Sequence, residues 1–202
     1  MQGKKQSKIP VADIIFWLAI IILLYLWSMR INAQGLMLNN GGYSVYYDTL
    51  LNCPRQVRWV IRKADLAPRA TRQAMAFRSD PRCPRPRVSS SDYIRSGYQR
   101  GHMCPAADRV YSQKAIKETF LLSNIAPQVP HLNMGAWKNA EETARTWARK
   151  FGRVDVGAAA IFLPEDTTYI GRHRAAVPHL FMKVIWVPDG SGIYKIWIFT
   201  NK

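Results

Sequence analysis

Residues 96–109 read SGYQRGHMCPAADR, with His102 directly behind Arg100 and Gly101. A histidine of near-neutral pKa can take a proton from water, and hydrolysis of a phosphodiester needs such a base. Charge that develops on the phosphorus and its leaving oxygen also needs an electrophile. Mg²⁺ suits that task, because it keeps several of its own waters and needs few protein ligands. One Asn side-chain oxygen then suffices as an anchor, with a carboxylate nearby to hold the metal's waters. The stretch NMGAWKNAEETARTWARKF, residues 133–151, supplies both types: Asn133, Trp137, Glu141 and Arg145 fall four apart. On a helix each such step advances roughly 40° beyond a full turn, so the polar members wind slowly beside the apolar face. Each residue also has a plainer reading. Asn133 suits a helix cap, Glu141 and Arg145 an exposed ion pair worth about 0.3 kcal/mol, Trp137 a core position, and His102 a satisfied core histidine. His131, His173 and His179 belong to no motif and read as structural or surface residues.

These residues need a frame. Trp137, Ala140, Ala144, Trp147 and Phe151 stand at helical spacing and predict one helix over 133–151. Residues 43–48 alternate as a strand, and 55–63 form another with Val57, Trp59 and Ile61 on one face. Residues 154–163 and 180–187 read as strands. The turn Pro188-Asp189-Gly190-Ser191-Gly192 then makes a hairpin with 193–199. Strands on both sides of one main helix predict an α+β fold with a largely antiparallel sheet. Residues 64–92, rich in Arg, Pro and Ser, read as a long loop, and 34–42 (QGLMLNNGG) as a linker into a single domain over 43–202.

Charge is the compositional outlier. The chain of 202 residues carries 29 Lys and Arg against 13 Asp and Glu, a formal +16. Such a surplus points to polyanionic partners, nucleic acid or an anionic membrane surface, and says nothing of fold. Lys4, Lys5 and Lys8 precede an uncharged run from Ile14 to Met29. That is the pattern of an export signal or a short membrane anchor over residues 1–33, with residues 34–202 translocated to a periplasmic, secreted or tethered position. The sequence leaves cleaved signal and retained anchor open. Residues 1–33 hold four positive charges and Asp13, a net +3, so about +13 stays with the remainder. Cys53, Cys83 and Cys104 match no zinc motif and allow at most one disulfide.

Taken together, DYIRSGYQRGHMCPAADR and FLLSNIAPQVPHLNMGAWKNAEE resemble the DNA/RNA non-specific endonucleases, the ββα-metal nucleases. Arg-Gly-His, then Asn-x-x-Pro-Gln, then Asn-x-x-x-Trp-x-x-x-Glu occur in that order, within a likeness running from about Gly42 to Thr200. The resemblance implies a Mg²⁺-dependent endonuclease, with Mn²⁺ an expected substitute, that cuts DNA and RNA without sequence preference and leaves 5′-phosphate ends. It implies His102 as general base, Asn133 as the sole direct protein ligand of the metal, and Glu141 as the holder of metal-bound waters. Arg100, Arg145 and Arg78 would face phosphate or stabilise the transition state. Asn124 and Gln99 would frame the site, and Arg82, Arg85, Arg87 and Arg95 would bind the nucleic-acid backbone. A strand-strand-helix unit would put His102 on a strand and Asn133 at the helix entrance. Relatives are often dimers, so a homodimer is also implied.

Three departures stand out. Gln99 occupies a position that is usually Asp; it lacks the charge and keeps the capacity to accept a hydrogen bond. Ala158-Ala159-Ala160 stands where relatives have Gly-Pro, a place for a shifted bend. The likeness also ends near Lys202, where relatives continue, so a shortened C-terminal part and an uncovered last strand are expected. These departures keep a second reading open: a membrane-tethered, nucleic-acid-binding remnant without turnover.

Overall fold

The computed structural model describes residues 35–71 and 75–202. The basic start and the uncharged run Ile14–Met29 lie outside the described residues. In chain order the strands are β1 (Gly35–Asn39), β2 (Tyr43–Asp48), β3 (Cys53–Arg62), β4 (Gln99–His102) and β5 (Ile125–Gln128). They continue with β6 (Arg153–Ile161), β7 (Tyr169–Ile170), β8 (Ala175–Ala176), β9 (Leu180–Trp186) and β10 (Tyr194–Thr200). Among the described residues the α-helices are α1 (Gln113–Thr119) and α2 (Trp137–Phe151).

Six strands form the main sheet in the order β1-β2-β3-β6-β9-β10. The pairs β2–β3, β3–β6, β6–β9 and β9–β10 are antiparallel, so the fold is α+β as the sequence predicts. Register explains the core. Trp59 faces Tyr43 and Val156, and Val156 faces Ile185. Val57 faces Ala158, which in turn faces Lys183. Side chains alternate between faces of a strand, so these rows share one face, and all of them are buried. Helix α2 packs against β3 and β6. Its Ala140, Ala144 and Ala148, one turn apart, are all buried and keep the helix close to the sheet. Gly152 ends it at φ +83°, in the left-handed region that favours glycine. Ala158 and Ala159 pair in regular register with β3, and Ala158-Ala159-Ala160 with β9, so the ladder with β9 runs on without a break.

One further expectation changes: residues 35–39 are the outer strand β1 and not a linker, with Leu38 in the core. The described part of the 64–92 stretch is mostly loop, as the sequence predicts, with 3₁₀ turns at Lys63–Leu66 and Ser90–Tyr93 and a bridge from Arg78 to Leu121. The three cysteines are buried and unpaired, within the limit of one disulfide that the sequence sets. The last strand is an edge, as expected: β10 leaves Tyr194, Ile196 and Ile198 exposed.

The part that positions the site is separate from this sheet. Strands β4 and β5 pair antiparallel, with Gly101 opposite Ala126 and His102 opposite Ile125. A Cβ on Gly101 would stand 2.2 Å from Gln128 Oε1, so the glycine of Arg-Gly-His gives room to the Gln128 side chain. The chain then enters a π-helical turn, Leu132–Ala136, and runs into α2. Trp137 opens α2, and its indole N–H donates to the His102 carbonyl at 3.0 Å. The ring is 1% exposed and packs against Phe181 and Phe199, with centroids 5.4 and 5.6 Å away. One side chain thereby joins strand pair, helix and sheet. Trp137→Phe would keep a ring in that space and leave the His102 carbonyl without its donor. A loss of about 1–3 kcal/mol is expected in denaturant unfolding; an unchanged midpoint would show that the bond carries no weight.

Candidate active site

Asn133 lies in the π-helical turn, where Gly135 departs from helical backbone at φ −109° and ψ −107°. Its backbone N–H reaches Val129 O at 3.1 Å. Its side chain caps nothing. Instead Nδ2–H donates to Gln99 Oε1 at 2.7 Å, which directs the amide oxygen Oδ1 away from that bond. The neutral Gln99 does what the sequence allows it to do: it accepts. Single π turns inserted at the start of a helix occur often at functional sites.

His102 ends β4. Its ring lies against Phe77 and, edge-on, Phe120, with centroids at 5.3 and 5.1 Å. These apolar walls and the Trp137 bond to its carbonyl fix it from two sides. Arg100, two residues earlier, lies over the rings of Phe77 and Tyr93 at 5.5 and 5.4 Å and donates through Nη2 to Ser90 O at 2.6 Å. Arg78 is exposed, with a 3.3 Å bond from Nη2 to Lys117 O.

The charges beneath α2 do not form the Glu141–Arg145 ion pair of the plainer reading. Glu141 faces Lys183, with Oε1 3.7 Å from Nζ, an ion pair too long for a hydrogen bond. Lys183 is fully buried, and its ammonium stands 3.9 Å from the Trp137 ring centroid and 5.5 Å from that of Trp59. Burial pushes the Glu141 carboxyl up to about 7, against the opposing pull of Lys183. The same burial pushes Lys183 down. Arg145 donates to Asp108 Oδ1 at 2.9 Å and, through Nε and Nη2, to Glu142 Oε2 at 3.1 and 2.8 Å. Asp108 also accepts from Trp59 Nε1 at 2.8 Å, and burial raises its carboxyl. All three guanidinium nitrogens of Arg145 are thus committed to carboxylates, and it braces the helix where the sequence suggested a phosphate contact.

The remaining expected residues divide. Asn124 is buried, accepts from Cys104 N at 3.0 Å, and donates to Cys104 O and Thr119 O at 2.9 and 3.0 Å. It closes the loop that follows His102. Arg82 forms a fork with Asp80 at 2.6 and 2.9 Å and also reaches Asn40 Oδ1 at 2.6 Å. Arg87 donates to Cys83 O and Pro81 O at 2.6 and 2.8 Å. Both brace the loop through these bonds. Arg85 and Arg95 are exposed on it. Sequence reading missed Lys183 and Asp108. The sign for Lys183 was there: in LFMKVIW the alternate positions Phe181, Lys183 and Ile185 face inward, and a lysine interrupts an apolar row.

Among the described residues no three His, Cys, Asp or Glu side chains form a metal cage. The donors on offer are the Asn133 amide oxygen, set by its bond to Gln99, and the Glu141 carboxylate further along the helix. So sparse an all-oxygen set fits a hard ion that keeps most of its waters, such as Mg²⁺, and does not fit Zn²⁺.

Comparison with known proteins gives a consistent picture. A family model described as DNA/RNA non-specific endonuclease matches residues 28–202. Endonuclease G, mitochondrial, of Homo sapiens is 42% identical over 115 residues, covering 52% of this chain and 39% of that protein. Nuclease EXOG, mitochondrial, of Danio rerio is 36% identical over 156 residues, covering 72% of this chain and 46% of that protein. Nuclease 1, mitochondrial, of Schizosaccharomyces pombe is 35% identical over 181 residues, covering 81% and 56%. The chain therefore spans about half the length of these relatives, or less. A chain of the solved EndoG/EndoGI complex superposes with a TM-score of 0.75 at 29% identity, covering 86% of this chain and 78% of that one.

Proposed function

The chain belongs to the DNA/RNA non-specific endonucleases, and we propose that it is a Mg²⁺-dependent endonuclease cutting DNA and RNA without sequence preference. The observation that carries this reading is the 2.7 Å bond from Asn133 to Gln99. It ties the only candidate ligand of the π turn to the strand that bears His102, so base and ligand belong to one rigid unit. When bound, Mg²⁺ would supply positive charge to the phosphate and to the leaving oxygen; Mn²⁺ has the same ligand preferences. Asn133 would hold the ion through Oδ1, and Glu141 would accept hydrogen bonds from its waters. His102 takes the proton of the attacking water. Arg100 is aimed by Ser90 and two aromatic faces and meets the phosphate, with Arg78 exposed alongside. Contacts to phosphate carry no base information, which accounts for activity on both nucleic acids. Delivery across a membrane rests on the sequence of residues 1–33 alone.

Supercoiled plasmid and RNA, each incubated with Mg²⁺ or with a chelator, test the reaction. Cutting is expected only with metal, and His102→Ala is expected to slow it by about 10²- to 10⁴-fold. Plasmid binding with no metal-dependent cutting by the unmutated protein would favour the remnant without turnover. Gln99→Ala releases the Asn133 amide, and about tenfold more Mg²⁺ is expected at half-maximal rate; an unchanged metal titration would remove Gln99 from the site. Lys183→Met takes away the charge that holds the Glu141 carboxyl down. That carboxyl then rises further, so its ionised form appears only at higher pH. The acidic limb of the pH–rate profile should move to higher pH, and a limb that stays in place would show that another group titrates there.

A further inference from the structure

The amide that ends a Gln or Asn side chain has two faces, an oxygen that accepts and an NH₂ that donates. Two such amides can therefore bond in either direction. In one direction the Asn133 amide donates and keeps its oxygen. In the other it accepts, and the oxygen is consumed. The 2.7 Å bond to Gln99 runs in the first direction, from Asn133 Nδ2 to Gln99 Oε1. Nothing in the two amides themselves prefers it, so a third group must choose.

That group is Met134. Gln99 Nε2–H donates to Met134 Sδ at 3.7 Å, a distance suited to the larger sulfur atom. A thioether has no hydrogen to give and can only accept. Gln99 therefore turns its NH₂ to the sulfur and its oxygen to Asn133, and both ends of its amide are used. Reversal would set the Gln99 oxygen against the sulfur, where no hydrogen bond forms. It would also turn NH₂ toward NH₂ unless Asn133 reversed with it.

The place of Met134 agrees with this role. It follows Asn133 in the π-helical turn Leu132–Ala136. Successive residues of a regular helix point roughly 100° apart and do not face one another, yet here both meet one Gln99 side chain. Met134 is 61% exposed, so burial does not account for it. Gln99 opens β4, the strand that ends on His102.

We propose that Met134 is a positioning residue: its thioether sets the direction of the Asn133–Gln99 bond and so keeps the Asn133 oxygen available to the divalent cation. It acts through Gln99 and touches neither cation nor phosphate. The consequence for the cation rests on the metal-dependent reading above; the direction of the bond does not.

Mn²⁺ binding to the full-length protein in detergent, without nucleic acid, is read from the electron paramagnetic resonance of the free ion. Met134→Leu keeps an apolar side chain and removes the acceptor, and about threefold weaker binding is expected. A carboxylate only accepts, so Gln99→Asp needs no sulfur to direct it, and Met134→Leu should then change nothing. An equal loss in both backgrounds would make Met134 a merely structural part of the turn. A folded Met134→Leu that binds like its parent would overturn the proposal. The direction itself is read without metal. NMR coupling across the hydrogen bond should join Asn133 Nδ2 to the Gln99 side-chain carbonyl carbon. Met134→Lys offers Gln99 a donor and should replace that coupling with one from Gln99 Nε2 to the Asn133 side-chain carbonyl carbon. The original coupling, surviving unchanged in a folded Met134→Lys, would equally refute the role. A parent that binds no Mn²⁺ would count against the metal reading instead, and the coupling would still decide what sets the bond.

Discussion

The bond from the Trp137 indole to the His102 carbonyl is the joint on which the site depends. It crosses from a helix to a strand pair that is not part of the main sheet. Trp137 is held by Phe181 and Phe199 from the sheet, so the strand pair inherits the sheet's rigidity through one ring. The spacing Asn-x-x-x-Trp-x-x-x-Glu then follows from helix geometry. Asn133 stands four residues before the joint, in the π-helical turn, and Glu141 one turn after it on α2. The π-helical turn adjusts the first of them, bringing Asn133 within reach of Gln99.

Beneath that joint the fold buries charge. Lys183 lies between two tryptophan rings and opposite Glu141, while Asp108 gathers Trp59 and Arg145. Buried ion pairs add little net stability, because desolvation consumes most of the attraction. Their effect here is positional. Asp108 fixes the rotation of α2 through Arg145, and Lys183 holds the Glu141 carboxylate near the helix while leaving its oxygens without a hydrogen bond from the ammonium. A carboxylate that titrates at about 7 is sensitive to any cation brought near it.

The frame was legible because its residues repeat. Val57, Trp59 and Ile61 alternate, Trp137, Ala140, Ala144, Trp147 and Phe151 stand at helical spacing, and Pro188–Gly192 marks a hairpin. The short strands were not. β4 and β5 have four residues each and contain Gly101 and Pro127, which hide any alternation. β1 looked like a linker because Asn and Gly follow it directly. Residue types at the site were legible, but their partners were not. Gln99 meets Asn133 across 34 positions, and Arg145 meets Asp108 across 37. Arg145 and Arg82 show their charge in the sequence, whereas the carboxylates that hold them, Asp108 and Asp80, come into view only in the fold.

The three cysteines bear on how the fold is held. Cys53, Cys83 and Cys104 are all buried and unpaired. Burial pushes their thiols up, Cys83 to about 12 and the other two well above the ordinary range. Oxidation and disulfide exchange proceed through the thiolate, which is scarce at neutral pH for all three. The described fold is held without a disulfide, and its three thiols offer little thiolate to an oxidant. Their role is that of small apolar side chains in the core, and the thiol chemistry they carry stays out of reach behind it.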